Sequence, residues 1–598
     1  MGATKRGLLP NPSLFHLPQY LSEDRRRARQ VSIALNRHRY PQVLDVGLEE
    51  DPAAQLPEST GPWPDAGRMR KWLTKLVGAL PPKELFLSEL PPEAQFSRPK
   101  FFRHATHGGS MKLRQAWARA TNFDFQPKSE GAFSRLMGTI PPPRIHRNWK
   151  DDREFARQRL AGVNPLQIHR CTSVPNDAIA RAAEKCLTER YSSTFNQALN
   201  SGRLYWTEYP LLSQMAVQQE VRKGAFLAVP TCLFYVDDTN TLMPLAIQLK
   251  PRDTKSGNPV FTPLNEYWDW RVARAHVQAS DSHYHESISH LLETHLVSEV
   301  FALATNRQMH GDHPLAQLLL PHFEHTLAIN EQARKNLLAD HGEIARCMAA
   351  KHTGNINLVR LAWKDWKYQD HNLNADLTIR DVNDLPGYLY RDDSKEVFQA
   401  IDDYARGILS IWYVKDKDVR LDNELQSWAQ EISDPNGGRI HGFPPAINTR
   451  EELFEIATSV IFRASAQHAA VNNGQFGTYG WIPNAPVAVY QSLPDSLPEI
   501  GSALFTERDY YAAMPDRELT FGQAGMVWLL SEPTMSSLLR AGEQPAFSHE
   551  HCFEAWKVVG RFRRRLKAIS DAIDARNDLI GFEYNYLKPQ NIDRSIAI

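Results

Sequence analysis

The stretch "HYHESISHLLETHLVSE", residues 283–299, decides the fold, and it places three histidines, His285, His290 and His295, at intervals of five residues. In an ideal α-helix five residues turn the chain by roughly 500°, so side chains five apart point about 140° away from each other. A π-helical segment, with hydrogen bonds from residue i to residue i+5, would bring them to one side. The spacing therefore predicts a π-bulge if two of these imidazoles bind one metal ion. The alternative is a long buried α-helix whose histidines are satisfied by hydrogen bonds.

Two later stretches carry further candidate ligands. In "SAQHAAVNNGQFG", residues 465–477, His468 and Asn472 are four apart and share one face of an ordinary α-helix. The sequence ends "YNYLKPQNIDRSIAI", residues 584–598, with an apolar tail. Chain ends are usually exposed, but an apolar end indicates burial. A buried carboxylate must be paired or coordinated, so we expect this of the end of Ile598.

Size, charge and cysteine content exclude several classes of protein. The 598 residues are 42% hydrophobic and 23% charged, as in ordinary globular proteins. Lys plus Arg and Asp plus Glu both total 69, which argues against a nucleic-acid-binding protein. The five cysteines are scattered and form neither a disulfide framework nor a zinc signature. With no signal-peptide pattern and no apolar run long enough to cross a bilayer, we expect a cytoplasmic protein.

The sequence pattern changes near residue 150. Residues 1–150 are punctuated by proline, and two stretches there, 22–38 and 65–80, look helical. In residues 224–251, two β-rich runs flank the turn formers "DDTNT" and predict a strand pair. After Trp268 the pattern is mostly that of long helices. The sequence thus predicts a mainly α protein with a small β element, divided into residues 1–150 and 151–598.

A longer stretch, residues 269–334, carries a family resemblance. Around the three histidines it reads "DWRVARAHVQASDSHYHESISHLLETHLVSE", and it continues through "HP", "PH" and "INEQAR". These blocks resemble the central helix and following segment of animal and bacterial lipoxygenases, with Arg274 where that family usually has Lys. Weaker matches extend the resemblance over about residues 150–598. No counterpart of the amino-terminal β-barrel of plant and animal members is evident, so the chain resembles the bacterial type, whose helical extensions can cover the substrate entrance.

The resemblance implies a fold and a set of site residues. The fold is a large helical lipoxygenase catalytic domain with a small β element and a long central helix with a π-bulge. The implied metal ligands are His290, His295, His468, Asn472 and the terminal carboxylate of Ile598. The implied outer neighbours of the metal are Gln475 and His285. The implied substrate and oxygen channel residues are Leu291, Leu296, Ala362 and Ser282, although the two leucines could equally be ordinary core residues.

The resemblance also implies an activity. It is dioxygenation of polyunsaturated fatty acids of the linoleate or arachidonate type, by hydrogen abstraction at an iron(III)-bound hydroxide and addition of O2. Ala362 implies an S-hydroperoxide, and non-haem iron is favoured over manganese. The expected partners are the fatty acid, O2 and transiently a membrane surface, with no nucleic acid and a monomeric chain. Two alternatives stay open, a fatty-acid hydroperoxide isomerase on the same scaffold and a metal-free lipid-binding protein.

Overall fold

The computed structural model describes residues 17–40, 90–121, 125–138, 140–173, 175–251, 257–340, 342–498, 502–531, 536–540 and 553–598. The predicted helix at 22–38 is confirmed as α1, Glu23–Arg39, with Ser22 at its amino-terminal cap. The predicted helix at 65–80 lies outside the described residues.

The described part is mainly helical, as predicted. After α1 the helices before the central one are α2 Arg98–Thr121, α3 Glu130–Met137, α4 Asp152–Ala161, α5 Asp177–Tyr191, α6 Phe195–Asn200 and α7 Met215–Gln218. The central helix consists of α8 Tyr267–Tyr284, the π-helix π1 His285–Leu296 and α9 Val297–Gln308. The predicted π-bulge is therefore confirmed, and it covers the whole histidine repeat.

The remaining helices surround the central one. Those up to the second histidine stretch are α10 Pro314–Leu319, α11 Thr326–Gln332, π2 Ala333–Leu337, α12 Glu343–Cys347, α13 His352–Asp365, α14 Leu373–Ile379, α15 Leu389–Leu409, α16 Asp416–Arg420, α17 Asn423–Ser433 and α18 Arg450–Phe462. Then come π3 Arg463–Gln467, α19 His468–Asn472, α20 Gln475–Tyr479, α21 Glu507–Ala512, α22 Arg517–Leu530 and α23 Phe553–Ile580. Short 3-10 turns lie at Pro18–Tyr20, Pro92–Ala94, Arg144–Arg147, Pro210–Ser213, Leu320–Phe323, Tyr368–His371 and Leu538–Arg540.

One small antiparallel sheet accounts for the β content of the described residues. Its strands run in chain order β1 Ile168–Arg170, β2 Leu204–Glu208, β3 Thr231–Val236, β4 Leu242–Gln248 and β5 Val260–Phe261. The predicted pair is β3 and β4, which pair with Thr231 opposite Gln248 and Val236 opposite Leu242. Both strands are almost wholly buried, because α4 and α5 pack against β4.

The central helix is buried along nearly its whole length. It packs against α1, α13, α17 and α19, and it belongs to the largest hydrophobic cluster of the protein. Residues just before the predicted boundary at 150 also join the folded body: the guanidinium of Arg274 donates to the carbonyl oxygens of Trp149 at 3.0 Å and Lys150 at 3.2 Å. The fold thus surrounds the histidine repeat with protein on every side.

Candidate metal centre

Three buried imidazoles meet at the middle of the central helix. π1 places the Nε2 atoms of His290 and His295 3.2 Å apart, and the Nε2 atom of His468 lies 3.4 Å from that of His290. His468 begins α19, directly after π3, so π-helical segments occur on both sides of the cluster. Within the described part of the chain, these three are the one group of histidine, cysteine and carboxylate side chains close enough to share a metal ion.

Asn330, on α11, fixes the tautomer of His295. Its amide nitrogen donates to the Glu299 carboxylate and to the main-chain oxygen of His295, both at 3.1 Å. The amide oxygen must therefore be the atom 2.7 Å from Nδ1 of His295. An amide oxygen accepts, so Nδ1 carries the proton and Nε2 of His295 presents a lone pair to the cluster.

The carboxylate of Glu286 has the same effect on His290. One of its oxygens lies 3.4 Å from Nδ1 of His290 and the other 3.4 Å from Nδ1 of His285. A carboxylate that accepts from Nδ1 leaves Nε2 of His290 without a proton. Two lone pairs that face each other across 3.2 Å repel unless a cation lies between them, so the geometry calls for a positive ion.

Burial keeps the cluster uncharged. It is the largest cause that lowers the pKa of His295 to about 3, and His290 adds to the effect. Burial likewise lowers the pKa of His468 well below its usual value, and it lowers that of His290. Neutral imidazoles are the form that binds metal.

The spacing of the three nitrogens fits one ion. Ring nitrogens roughly 2.1 Å from a common metal ion, at angles of about 90° to 110°, lie about 3.0 to 3.4 Å apart. The two measured separations, 3.2 and 3.4 Å, fall within this interval. The residues present therefore fit a bound metal ion.

His285 lies beside the cluster but is held by other groups. Its Nε2 donates to the main-chain oxygen of Val471 at 2.6 Å, and its Nδ1 lies 3.1 Å from the hydroxyl of Tyr479. Burial pushes the pKa of His285 down, but the neighbouring Glu286 carboxylate outweighs burial, and the pKa is raised. His285 thus has the position of an outer neighbour, not that of a fourth imidazole ligand.

Asn472 and Gln475 lie one and two turns beyond His468, and both are buried. The Gln475 amide donates to the side-chain oxygen of Asn472 at 2.9 Å. This contact orients the amide of Asn472, whose oxygen keeps a second lone pair for another partner.

The end of the sequence reaches the cluster. Ile598 is 4% exposed, and its main chain lies within hydrogen-bonding reach of the His468 ring. Three hydrogen bonds hold the residues before it. The His322 ring donates to the carbonyl oxygen of Arg594 at 2.7 Å, and the Thr326 hydroxyl donates to that of Ile596 at 3.1 Å. The Ser595 hydroxyl donates to the carbonyl oxygen of Glu324 at 2.8 Å. The predicted burial of the tail is thus what the structure shows.

An apolar group of residues, which we call the Ile598 cluster, lies on one side of the three histidines. It contains Val163, Leu338, Ile344, Cys347, Met348, Tyr479, Ala485, Val487, Met526, Val527, Leu530 and Ile598, with Leu291, Leu337 and Phe476 packed against it. Leu291 is half-buried although its neighbours on π1 are fully buried, so it faces space beside His290. Leu291 also packs against the largest hydrophobic cluster, so its role in a channel stays a prediction.

The structure also places the other three predicted channel residues. Leu296 is a buried member of the largest cluster, the placement of an ordinary core leucine. The hydroxyl of Ser282 is buried and bonds to the carbonyl oxygen of Ala279 in its own helix at 2.8 Å. Ala362, on α13, is half-buried and packs against the largest cluster, not the Ile598 cluster. Its helix α13 packs against π1, the element that carries His290 and His295.

Sequence reasoning missed the residues that orient this centre. Glu286, Asn330 and His322 stand inside or beside the motif blocks quoted above, yet nothing in a linear pattern shows which ligand each one supports. The available signal for Asn330 and His322 was their place in the "INEQAR" and "PH" blocks.

Comparison with known proteins shows the family to which this architecture belongs. A mainly helical fold whose π-helix gathers three neutral, buried imidazoles defines a protein able to hold a metal ion at its centre. The family model of lipoxygenases matches residues 137–584. The chain therefore belongs to the lipoxygenase family, and it is a dioxygenase of the oxidoreductase class.

Individual relatives agree with the family model. The chain is 35% identical to the mouse polyunsaturated fatty acid lipoxygenase ALOX8, over 82% of this chain and 70% of that protein. It is 33% identical to human ALOX15B, over 80% and 68%. The crystal structure of coral 8R-lipoxygenase superposes with a TM-score of 0.83 at 26% identity, over 98% of this chain and 83% of that one. None of the described helices is long and apolar enough to cross a membrane.

Proposed function

We propose that the chain oxygenates polyunsaturated fatty acids to S-hydroperoxy fatty acids. The observation that carries this proposal is that the unprotonated Nε2 atoms of His290 and His295 face each other at 3.2 Å, beside the Ile598 cluster. A cation site next to an apolar wall suits the oxidation of a hydrocarbon chain. It does not suit a metal-free lipid-binding protein, because that protein would gain nothing from two repelling nitrogens.

The proposed ligand set combines five groups. His290, His295 and His468 would supply imidazole nitrogens, Asn472 an amide oxygen and Ile598 its terminal carboxylate. Nitrogen and oxygen donors of this kind suit a redox-active first-row metal, and members of this family generally use non-haem iron. We therefore propose iron, with manganese as the less favoured ion.

The chain's own residues prepare the centre. When bound, the iron would supply the one-electron redox chemistry that removes hydrogen from the methylene between two double bonds. Glu286 and Asn330 hold the tautomers of two ligands, which fixes the direction of their lone pairs. The Ile598 cluster would exclude water and offer an acyl chain mainly apolar contacts. Leu291, at the border between that cluster and π1, lies where it would limit the approach of O2.

The substrate class is supported by the relatives. The two mammalian proteins above are named polyunsaturated fatty acid lipoxygenases. A further structure with a TM-score of 0.84 and 25% identity holds arachidonate. The S configuration rests on the resemblance at Ala362 alone, because the structure packs that residue against the largest cluster.

Incubation with linoleate and with arachidonate tests the proposal. We expect a conjugated diene, visible by its ultraviolet absorbance, and uptake of O2 in equal amount, with chiral chromatography to give the configuration and the carbon oxygenated. The human hydroperoxide isomerase ALOXE3 is 32% identical over 76% of this chain, so a second arm supplies a fatty-acid hydroperoxide. Consumption of the hydroperoxide without diene formation from the free acid would contradict the proposal in favour of the isomerase. A predominantly R product would contradict the assignment of Ala362.

A further inference from the structure

Arg463 carries one of the largest fully buried side chains among the described residues, at 1% exposure. It is the first residue of π3, five before His468. Its two terminal nitrogens donate to main-chain oxygens, one to that of Glu293 at 2.7 Å and the other to that of His371 at 2.9 Å. A buried guanidinium is usually paired with a carboxylate, because removing its charge from water is costly. Its placement against two carbonyl oxygens indicates that these oxygens need a strong donor.

The carbonyl oxygen of Glu293 lies at the end of the π-helical winding. Glu293 stands on π1 between two histidines of the cluster. The main-chain NH of Val297, the first residue of α9, still bonds five residues back, to the oxygen of Leu292. A helix that returns from i+5 to i+4 bonding passes over one carbonyl oxygen, and the oxygen of Glu293 comes directly after that of Leu292. A donor from outside the helix, such as Arg463, satisfies this position.

The contacts of Arg463 join three elements of the fold. His371 ends the 3-10 turn Tyr368–His371, and its Nδ1 lies 3.1 Å from the Glu293 carboxylate. The Trp366 ring stacks on that of His371, with 5.1 Å between their centroids, and its centroid lies 5.5 Å from the Arg463 guanidinium. We call Arg463, Glu293 and His371 the Arg463 bridge. The bridge connects π1, which carries two histidines of the cluster, to π3, which leads into the third.

The winding of π1 is the condition for the histidine cluster. On an α-helix the side chains of His290 and His295 would point about 140° apart, whereas i+5 bonding places their Nε2 atoms 3.2 Å apart. π-helical winding is rare in proteins, so it needs support from its surroundings. The Thr294 hydroxyl, which donates to the carbonyl oxygen of His290 at 2.5 Å, gives such support from within the helix. Arg463 gives it from π3.

We infer that Arg463 is a positioning residue of the metal centre. Through the Arg463 bridge it holds the π-helical winding of π1, and this winding keeps His290 and His295 directed at His468. Arg463 would therefore act on a bound metal ion only through the main chain of π1. The effect on the metal rests on the proposed ligand set, whereas the effect on the winding of π1 does not.

Hydrogen exchange of the main-chain amides, measured by mass spectrometry on the full metal-free chain, tests the effect on π1. Arg463→Met keeps an unbranched side chain but offers no donor, so a peptide covering residues 285–299 should exchange roughly tenfold faster. The affinity for Fe²⁺, measured by chelator competition without O2, should fall about 10- to 100-fold, as it does for other groups that orient ligands. Arg463→Lys keeps the charge but has one nitrogen for two oxygens, so both values should lie between those of Arg463→Met and the unmodified chain.

Arg274 provides the matched control. It is also buried and also donates to two main-chain oxygens, those of Trp149 and Lys150, but it lies on the α-helical α8. Arg274→Met should lower the free energy of unfolding and leave the exchange of residues 285–299 and the Fe²⁺ affinity unchanged. Unchanged exchange and affinity in either folded Arg463 variant would overturn the inference, and so would an equal loss of affinity in Arg274→Met. Absence of Fe²⁺ binding by the unmodified chain would refute the proposed ligand set, while the exchange measurement would still decide the role of Arg463.

Discussion

Removal of Ile598 should empty the metal centre while leaving most of the fold in place. The prediction concerns a chain that ends at this residue. The new carboxylate, on Ala597, would end about 3.5 Å short of its former position. The tail cannot slide forward to compensate, because hydrogen bonds to Arg594, Ser595 and Ile596 would break. At about 1 kcal/mol each, these bonds oppose the slide by about 3 kcal/mol.

The expected loss of metal affinity is large. Loss of a group that only orients a ligand already costs about 10- to 100-fold in affinity, so loss of a charged ligand should cost more than about a hundredfold. The side chain matters separately: removing a buried isoleucine leaves a cavity that destabilises the fold by about 2 to 5 kcal/mol. The matched control is Ile598→Val, which keeps the carboxylate in place and should cost only about 0.5 to 1.5 kcal/mol.

Three measurements separate the two effects. Metal content comes from elemental analysis of the purified proteins, stability from denaturant unfolding, and activity from diene absorbance with linoleate. We expect the shortened chain to lack metal and activity, and Ile598→Val to keep both. Retention of metal by the shortened chain would refute the role of the carboxylate. Equal loss in both variants would show that packing of the side chain, not coordination, is what matters.

Four other changes give shorter tests. His468→Ala should abolish metal binding and diene formation together, since no other described histidine, cysteine or carboxylate group can take its place; normal turnover would exclude it as a ligand. Asn330→Ala should weaken metal binding about 10- to 100-fold, measured by chelator competition, because His295 loses the acceptor that fixes its tautomer; unchanged affinity would contradict that role. Ala362→Gly should raise the R fraction in chiral chromatography, and an unchanged ratio would contradict the assignment of configuration to this position. Burial lowers the pKa of His276 to about 4, so its neutral form contributes stability that is lost as pH falls from about 6.5 towards 4. Over this interval the free energy of unfolding of His276→Gln should therefore fall by about 3 kcal/mol less than that of the unmodified protein. An identical fall in both proteins would show that His276 does not cause this acid sensitivity.

The sequence specified the central helix for a physical reason. Histidines five apart cannot converge on an α-helix, so convergence of His290 and His295 required i to i+5 hydrogen bonding, and π1 has it. The strands β3 and β4 could be predicted from the sequence as well, because β-branched and aromatic runs on either side of a turn pair locally. In both cases the information lies within one short window of the chain.

The helix α2 escaped prediction because two glycines interrupt its sequence pattern. Gly108 and Gly109 lie in its middle, where each costs about 1 kcal/mol relative to alanine.

The contacts that prepare the metal centre could not come from pattern at all. Asn330 meets His295 across 35 residues, and the tail at Arg594 meets His322 across 272. Such pairs arise only when helices distant in sequence pack together, so the sequence alone identifies the candidate ligands but not the groups that orient them. Those groups decide whether three buried histidines repel one another or bind an ion: with Asn330 and Glu286 holding the protons on the outer nitrogens, the inner nitrogens of His295 and His290 have only lone pairs to offer. The folding energy that packs α11 against π1 therefore also enforces an arrangement that is unfavourable without a cation, and metal binding should raise the stability of the whole domain.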